Sequence, residues 1–347
     1  MRILASLVAL SAAATMFAPS TAAAQDGISI TLLNALVQDE FWQGCTVGAK
    51  RAAAKVGATL TELDGNGNVQ TQANQIDTTI QKHPDAILVA ALDSNAMASQ
   101  LSKAMRAGID VYAFNTAVPN AKLSATVAMD EEATGAAAAQ QIIKLAKAKG
   151  LKQVNLLHLV GAVATEPVRL RRKGFNDEIA KPVEGLAIKM TEVITEWKPE
   201  TAVAGLSDAL TKGHIDAIFT ESDFLTPFLV PVLQRNGYTA HDGNNSVIIG
   251  GLGGIPGGLK AIRDGWQDFT LNYPIDGMCS ASVYLAADKH EGIDFDAAIK
   301  DASADLGNNS PRIVHDDKAG PSILLTANLI DKSNVDDTAF WANTFKK

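Results

Sequence analysis

The run Gln38-Asp39-Glu40-Phe41-Trp42 sets carboxylates beside two consecutive aromatic rings. Carboxylate oxygens accept hydroxyl hydrogens and ring faces cover apolar C–H surface, which is the pairing that a small polyhydroxylated molecule needs. The same residues also fit a plainer reading, with Asp39 capping a helix and Phe41 and Trp42 in the core. Asn115 and Thr116 place two short polar groups directly after an apolar run. Arg169 offers a planar fork of donors for vicinal hydroxyls or a carboxylate, or else for an ion pair at the surface or between domains. In Glu221-Ser222-Asp223, Asp223 reads as a helix cap and Ser222 as the group free to face a ligand. Asp93 or Ser94 likewise reads as a cap.

Other chemistries lack their residues. The run Gly250-Gly251-Leu252-Gly253-Gly254-Ile255-Pro256-Gly257-Gly258 misses the dinucleotide spacing because Pro256 falls where a glycine belongs. No Gly-Lys-Ser/Thr follows, so it is not a phosphate loop and reads as a flexible strand-to-helix turn with Pro256 at the helix start. The six histidines are scattered, without zinc spacing or a Gly-x-Ser-x-Gly elbow. No metal or cofactor is expected, and the chain reads as a binding protein rather than an enzyme. A carboxylate pair assembled by the fold keeps an exported hydrolase as the enzyme alternative.

The first residues read as an export signal. Arg2 leads an apolar stretch from Ile3 to Phe17, and Ala22-Ala23-Ala24 supplies small residues for cleavage before Gln25. The stretch is too short for a convincing membrane span, no later segment approaches one, and no cysteine near the cleavage site invites a lipid anchor. A cleaved, soluble periplasmic protein is the expectation. Roughly 320 residues then remain, more than one core usually holds, so two domains are expected. With 30 basic against 38 acidic residues the surface leans acidic, which argues against a nucleic-acid or anionic-membrane partner. Two cysteines, Cys45 and Cys279, exclude a disulfide-built scaffold, though export permits one bridge.

These residues need elements to hold them. Strand-type and helix-type segments alternate from Ile28 onward. Strands are expected at Ile28–Asn34, Ala58–Leu63, Ala86–Ala90, Ile109–Phe114, Val154–Leu159, Ala187–Ile194, Ala217–Thr220 and Val247–Gly250. Helices at Phe41–Val56, Val69–Lys82, Asn95–Ala107, near Val168–Ala180, to Lys212 and to Asn236 lie between them. Such alternation predicts an α/β fold with parallel sheets covered on both faces. The pattern occurs twice: Lys82-His83-Pro84-Asp85-Ala86-Ile87-Leu88-Val89 is echoed by Gly213-His214-Ile215-Asp216-Ala217-Ile218-Phe219. Two doubly wound lobes follow, with ligand groups at the carboxyl ends of their strands.

The chain resembles the ribose-binding-protein type of periplasmic sugar receptor, the type I periplasmic binding proteins, over nearly all of its mature length. The marks are Asp39 to Trp42, Ala86 to Ser94, Ile109 to Asn115, Arg169 to Phe175, Asp216 to Asp223, Val247 to Gly250 and Thr270 to Pro274. The resemblance implies two lobes joined by three crossover segments, near Met129-Asp130, near Asn272-Tyr273 and around residues 311–322. The N-terminal lobe would hold 25–129 plus 274–311, and the C-terminal lobe 130–273 plus 312–347. It implies a monomeric receptor that closes on a sugar, polyol or modified sugar and delivers it to an ABC transporter permease. A sensory subunit that presents its ligand to a membrane histidine kinase or chemoreceptor is the alternative. Ligand contacts carried over by position are Asp39, Phe41, Trp42, Asn115, Thr116, Arg169, Ser222 and Asn272. Asn115-Thr116 and Gly251-Leu252 stand where the family often has carboxylate-bearing pairs, which shifts the expectation from a typical pentose or hexose toward a polyol or modified sugar. In the family the helices carrying Cys45 and Cys279 pack side by side, so a disulfide is implied; two buried thiols are the other outcome.

Overall fold

The computed structural model describes residues 27–241, 245–306, 309 and 311–345, so the signal-peptide reading lies outside the described residues. The first half alternates β1 (Ser29–Asn34), α1 (Glu40–Val56), β2 (Thr59–Asp64), α2 (Val69–Lys82), β3 (Ala86–Val89), α3 (Ser94–Arg106) and β4 (Asp110–Phe114). β5 (Ala125–Met129) and α4 (Glu131–Ala148) follow, then β6 (Gln153–Val160), α5 (Glu166–Ile179), β7 (Ala187–Ile194), α6 (Pro199–Lys212) and β8 (Ala217–Thr220). The rest comprises α7 (Thr226–Arg235), β9 (Ile248–Gly253), α8 (Pro256–Arg263), β10 (Phe269–Asn272), α9 (Ile275–His290) and α10 (Phe295–Ala302). Last come β11 (Pro311–Asp316), β12 (Gly320–Leu325), β13 (Asn328–Asp331) and the short α11 (Trp341–Thr344). No helix among the described residues is long and apolar enough to cross a membrane.

The strands form two sheets. One has the order β11-β12-β5-β4-β3-β1-β2, the other β13-β10-β9-β8-β6-β7. Pairing is parallel except at β11 with β12 and at β13 with β10. Strand order reverses between β1 and β3 in the first sheet and between β6 and β8 in the second, and a crevice opens at the carboxyl ends of the strands at such points.

The duplicated sequence unit has a physical reason. The Asp85 carboxylate accepts the Ser29 N–H at 2.7 Å, and the Asp216 carboxylate accepts the Asn155 N–H at 2.7 Å. In each lobe this aspartate, just before a central strand, satisfies an amide at the start of the strand beside it and so helps set the parallel register.

The chain passes from the first sheet to the second after Met129 and returns after Asn272, since α9 packs beside α1 over β3, β4 and β5. The third passage differs from the expectation at 311–322. β11 and β12 form a hairpin whose second strand pairs in parallel with β5, so residues 312–325 belong to the first lobe. The crossing lies at residues 326–327, before β13 joins β10. The first and third crossings are bonded to each other, the Asp130 N–H donating to the Leu325 carbonyl at 2.8 Å, and the Trp341 indole N–H of α11 donates to the Tyr273 carbonyl of the second at 2.9 Å.

Close helix contacts complete the frame. A Cβ on Gly48 would stand 2.0 Å from the Asp276 carbonyl oxygen, so a glycine is needed where α1 meets α9. On those helices Cys45 and Cys279 form a disulfide, with Cα atoms 5.3 Å apart.

Candidate functional site

The first lobe's rim is built around the loop after β1. Asn34, fully buried at the end of β1, donates from Nδ2 to the Trp42 carbonyl at 3.2 Å and holds the start of α1 against the sheet. Asp39 caps α1, its carboxylate accepting the Phe41 N–H at 2.9 Å. Burial pushes the Asp39 carboxyl up to about 6; the Phe41 amide pulls it down and the neighbouring Glu40 adds to the rise. Phe41 and Trp42 meet edge to face at 5.0 Å between ring centroids, half-buried, with part of each ring packed on the core and part left open at the rim. Trp42 reaches Phe114 at 6.4 Å, which brings the rim to the end of β4. There Asn115 adopts a left-handed φ of 59°, a conformation Asn tolerates better than most residues, and Thr116 is buried beside it. Phe41 also lies 6.3 Å from the Tyr273 ring, next to Asn272.

The second lobe's rim is one contiguous path. Asn272 ends β10, is 3 % exposed, and its side-chain oxygen makes no hydrogen bond within the protein. That oxygen packs over Gly254, whose N–H donates to the Asp223 carboxylate at 2.8 Å. Asp223 does not cap a helix, contrary to the sequence reading. It is fully buried and also accepts from Thr270 Oγ1 and Gln267 Nε2, both at 2.7 Å. Ser222 does the capping, accepting the Phe224 N–H at 3.3 Å. The reversal follows from burial: a carboxylate sealed in the core needs several donors, which a helix end alone does not supply.

The glycine run is not a flexible turn either. Gly250 to Gly253 lie inside β9, and a Cβ at Gly250 or Gly251 would stand 2.3 Å from the Phe269 ring or 2.0 Å from the Asp223 carboxylate. These glycines make room for buried side chains, and α8 begins at Pro256.

Beyond Ser222 the path runs through Glu221 to Trp197, which sequence reasoning missed. The Trp197 indole N–H donates to the Glu221 carbonyl at 3.4 Å, and its ring lies where a side chain on Gly161 would be. Glu196 and Trp197 both have positive φ, 51° and 57°, a strained turn that holds this ring on the rim. Its position three residues beyond the end of β7 was the available signal. Arg169 closes the path: its Nη1 donates to the carbonyls of Val163 and Ala164 at 3.1 and 2.8 Å, back onto the loop after β6. Beside it, burial pushes the Glu166 carboxyl up while Arg169 pulls it back.

The residues named from the sequence therefore lie at or just beyond the carboxyl ends of strands, with Asp39, Phe41, Trp42, Asn115 and Thr116 on one rim and Arg169, Ser222 and Asn272 on the other. Among the described residues no group of three or more His, Cys, Asp or Glu side chains could hold a metal ion. A family profile described as a periplasmic binding protein domain matches residues 30–293. The chain belongs to the periplasmic binding protein family. It is 26 % identical to the D-xylose-binding periplasmic protein of Haemophilus influenzae, over 97 % of this chain and 96 % of that one. It is 29 % identical to the xylitol-binding protein of Mycolicibacterium smegmatis, over 64 % of this chain and 60 % of that one. Among solved structures it is similar to an ABC transporter solute-binding protein from Agrobacterium vitis bound to α-D-tagatopyranose, with a TM-score of 0.74 and 20 % identity over 92 % of this chain and 100 % of that one. The Caulobacter myo-inositol-binding protein gives a TM-score of 0.72 at 19 % identity, over 90 % of this chain and 95 % of that one. This periplasmic binding protein is thus a solute receptor built from two parallel-sheet α/β lobes.

Proposed function

We propose that this receptor closes its two lobes around a small neutral sugar or polyol and delivers it to an ABC transporter permease in the periplasm. The observation that carries the reading is the pairing of aromatic surface with polar groups at the strand ends of both lobes, together with the buried Asn272 oxygen that has no partner of its own within the protein. A hydroxyl donor from the ligand meets that oxygen and removes the penalty of an unmade bond. On this reading Asp39 accepts further hydroxyl hydrogens and Asn115, Thr116 and Ser222 supply short polar contacts. Arg169, with Nη1 held by the loop, presents Nη2 and Nε as donors. Phe41 and Trp42 cover one apolar side of the ligand and Trp197 the other. The relatives named for D-xylose and xylitol support a five-carbon sugar or polyol as the first candidates.

A thermal-shift screen of D-xylose, xylitol, D-ribose, D-arabinose and myo-inositol tests this, followed by calorimetry on whatever raises the midpoint. At a hundredfold excess over Kd a ligand stabilises the folded state by about 2.7 kcal/mol, several degrees in midpoint. A panel with no member that stabilises or binds overturns the assignment to sugars and polyols.

A further inference from the structure

A buried charged cluster sits under the hinge, beneath the rims. Glu131 is the first residue of α4, just past the first crossing, and Tyr273 lies in the second. Glu131 Oε2 accepts from the Tyr273 hydroxyl at 2.6 Å and from Arg171 Nη1 at 3.0 Å, and Arg171 also donates to the Tyr273 hydroxyl at 2.8 Å. All three side chains are at most 4 % exposed. Two glycines enforce the arrangement. A Cβ on Gly135 of α4 would stand 2.0 Å from the Arg171 carbonyl, and one on Gly174 of α5 2.1 Å from the Glu132 carbonyl. The helices therefore touch backbone to backbone and press Arg171 against Glu131.

The cluster is not fully bonded. Glu131 Oε1 and Arg171 Nε are buried and make no hydrogen bond within the protein, although Arg171 Nε lies 3.4 Å from Glu221 Oε2. Glu221 contacts His158 at 3.1 Å; His158 in turn faces Glu192 at 3.5 Å, and Glu192 pairs with Arg172 at 2.6 Å. On the hinge side Asp130 pairs with Arg312 of β11 at 2.7 Å, and Glu132 pairs with Lys173 at 2.9 Å. A network with unmade bonds at its centre has a second arrangement within reach, because a proton on Glu131 adds a donor and frees Arg171 to bond Glu221. Lobe rotation concentrates backbone change in short crossings of this kind.

We propose that Glu131 is a proton-operated clamp on the hinge: charged, it binds Tyr273 of the second crossing and Arg171 together; protonated, it yields Arg171 to Glu221, and the two states favour different lobe angles. Burial pushes its carboxyl up to about 7, Arg171 and Tyr273 pull it down, and Glu221 and Asp130 raise it further. The switch therefore works around neutral pH. Glu131 acts as a positioning residue, shifting the population of lobe arrangements without touching the ligand.

The decisive measurement needs no ligand. Small-angle scattering of the full chain between about pH 6 and about pH 8 reads the radius of gyration in the wild type, Glu131→Gln and Tyr273→Phe. The expected result is a pH-dependent radius in the wild type that Glu131→Gln abolishes. In Tyr273→Phe the midpoint moves to higher pH, since a donor that favours the charged carboxylate is gone. A wild-type radius independent of pH, a dependence retained in Glu131→Gln, or an unmoved midpoint in Tyr273→Phe each overturns the proposal. If Glu131→Gln does not fold, Tyr273→Phe decides. A second arm rests on the sugar-receptor reading: calorimetry with D-xylose over the same interval, where Kd is expected to change at least about threefold in the wild type and not in Glu131→Gln. D-xylose that binds no variant counts against the sugar reading alone, because the scattering arm judges the clamp without it.

Discussion

Acid should weaken ligand binding through Asp39, by an amount that its surroundings set. Its carboxyl is pushed up to about 6 by burial at the start of α1, opposed by the Phe41 amide and helped by Glu40. The charged form is the one that accepts two or more hydroxyl hydrogens in charge-assisted bonds, so a proton on Asp39 takes away the charge and part of the acceptor capacity. Binding that needs the charged form is intact above the raised value and lost as pH falls through it. With a midpoint near 6, the fraction ready to bind drops from about nine-tenths at pH 7 to about one-tenth at pH 5, a loss of about tenfold in affinity. Isothermal titration with the tightest ligand of the screen, at half-unit pH steps, measures it. Asp39→Asn should bind about 10- to 100-fold more weakly at neutral pH, the loss expected for a charge-assisted hydrogen bond, and should show no acid step near 6. The Glu131 contribution lies about one unit higher and survives in Asp39→Asn, which separates the two. Wild-type affinity at pH 5 within about twofold of that at pH 7 refutes the reasoning, as does an acid step centred near 6 that persists in Asp39→Asn.

Trp197→Ala should weaken binding by about 1–2 kcal/mol, the worth of an aromatic surface over a ligand, and leave a smaller ligand-induced change in tryptophan emission, from Trp42; unchanged affinity would place the ring outside the site. Gly174→Ala pits a helix-propensity gain of about 1 kcal/mol against a Cβ 2.1 Å from the Glu132 carbonyl. The clash should win, for a net loss of about 1–3 kcal/mol in chemical denaturation, and a stabilised variant would contradict the close packing of α4 on α5. Replacing both Cys45 and Cys279 by Ser opens a loop with a sequence separation of 234, and the unfolding free energy should fall by about 2–4 kcal/mol; equal stability would deny the bridge its role in holding α1 to α9.

Much of the lobe architecture was legible because it is local. A strand shows its period within a few residues, and α2 falls on the expected Val69–Lys82 because polar and apolar residues there alternate at helical spacing. The echo around Asp85 and Asp216 was visible for the same reason, since each aspartate serves a strand start through a short recurring pattern. The polar groups of the rims could be proposed because strand ends are where an α/β fold puts chemistry. β5 and α4 went unread: α4 carries a run of alanines, which favour a helix but mark no face.

The succession of strands and helices, the doubling of the lobe and the residue types at its strand ends are thus short-range properties, legible in the chain before it folds. Tertiary structure alone decided that β11 and β12 join the first lobe by pairing with β5, since a hairpin can dock on either sheet until its partner strand is known. It decided that Asp223 anchors the glycine strand while Ser222 caps, and that Trp197 lies over Gly161. It also brought Glu131, Arg171 and Tyr273 together from three segments distant in sequence. The reason is common to these cases. A buried charge or ring is stable only with partners that satisfy or pack it, and in a two-lobed chain that crosses three times those partners come from elsewhere in the sequence.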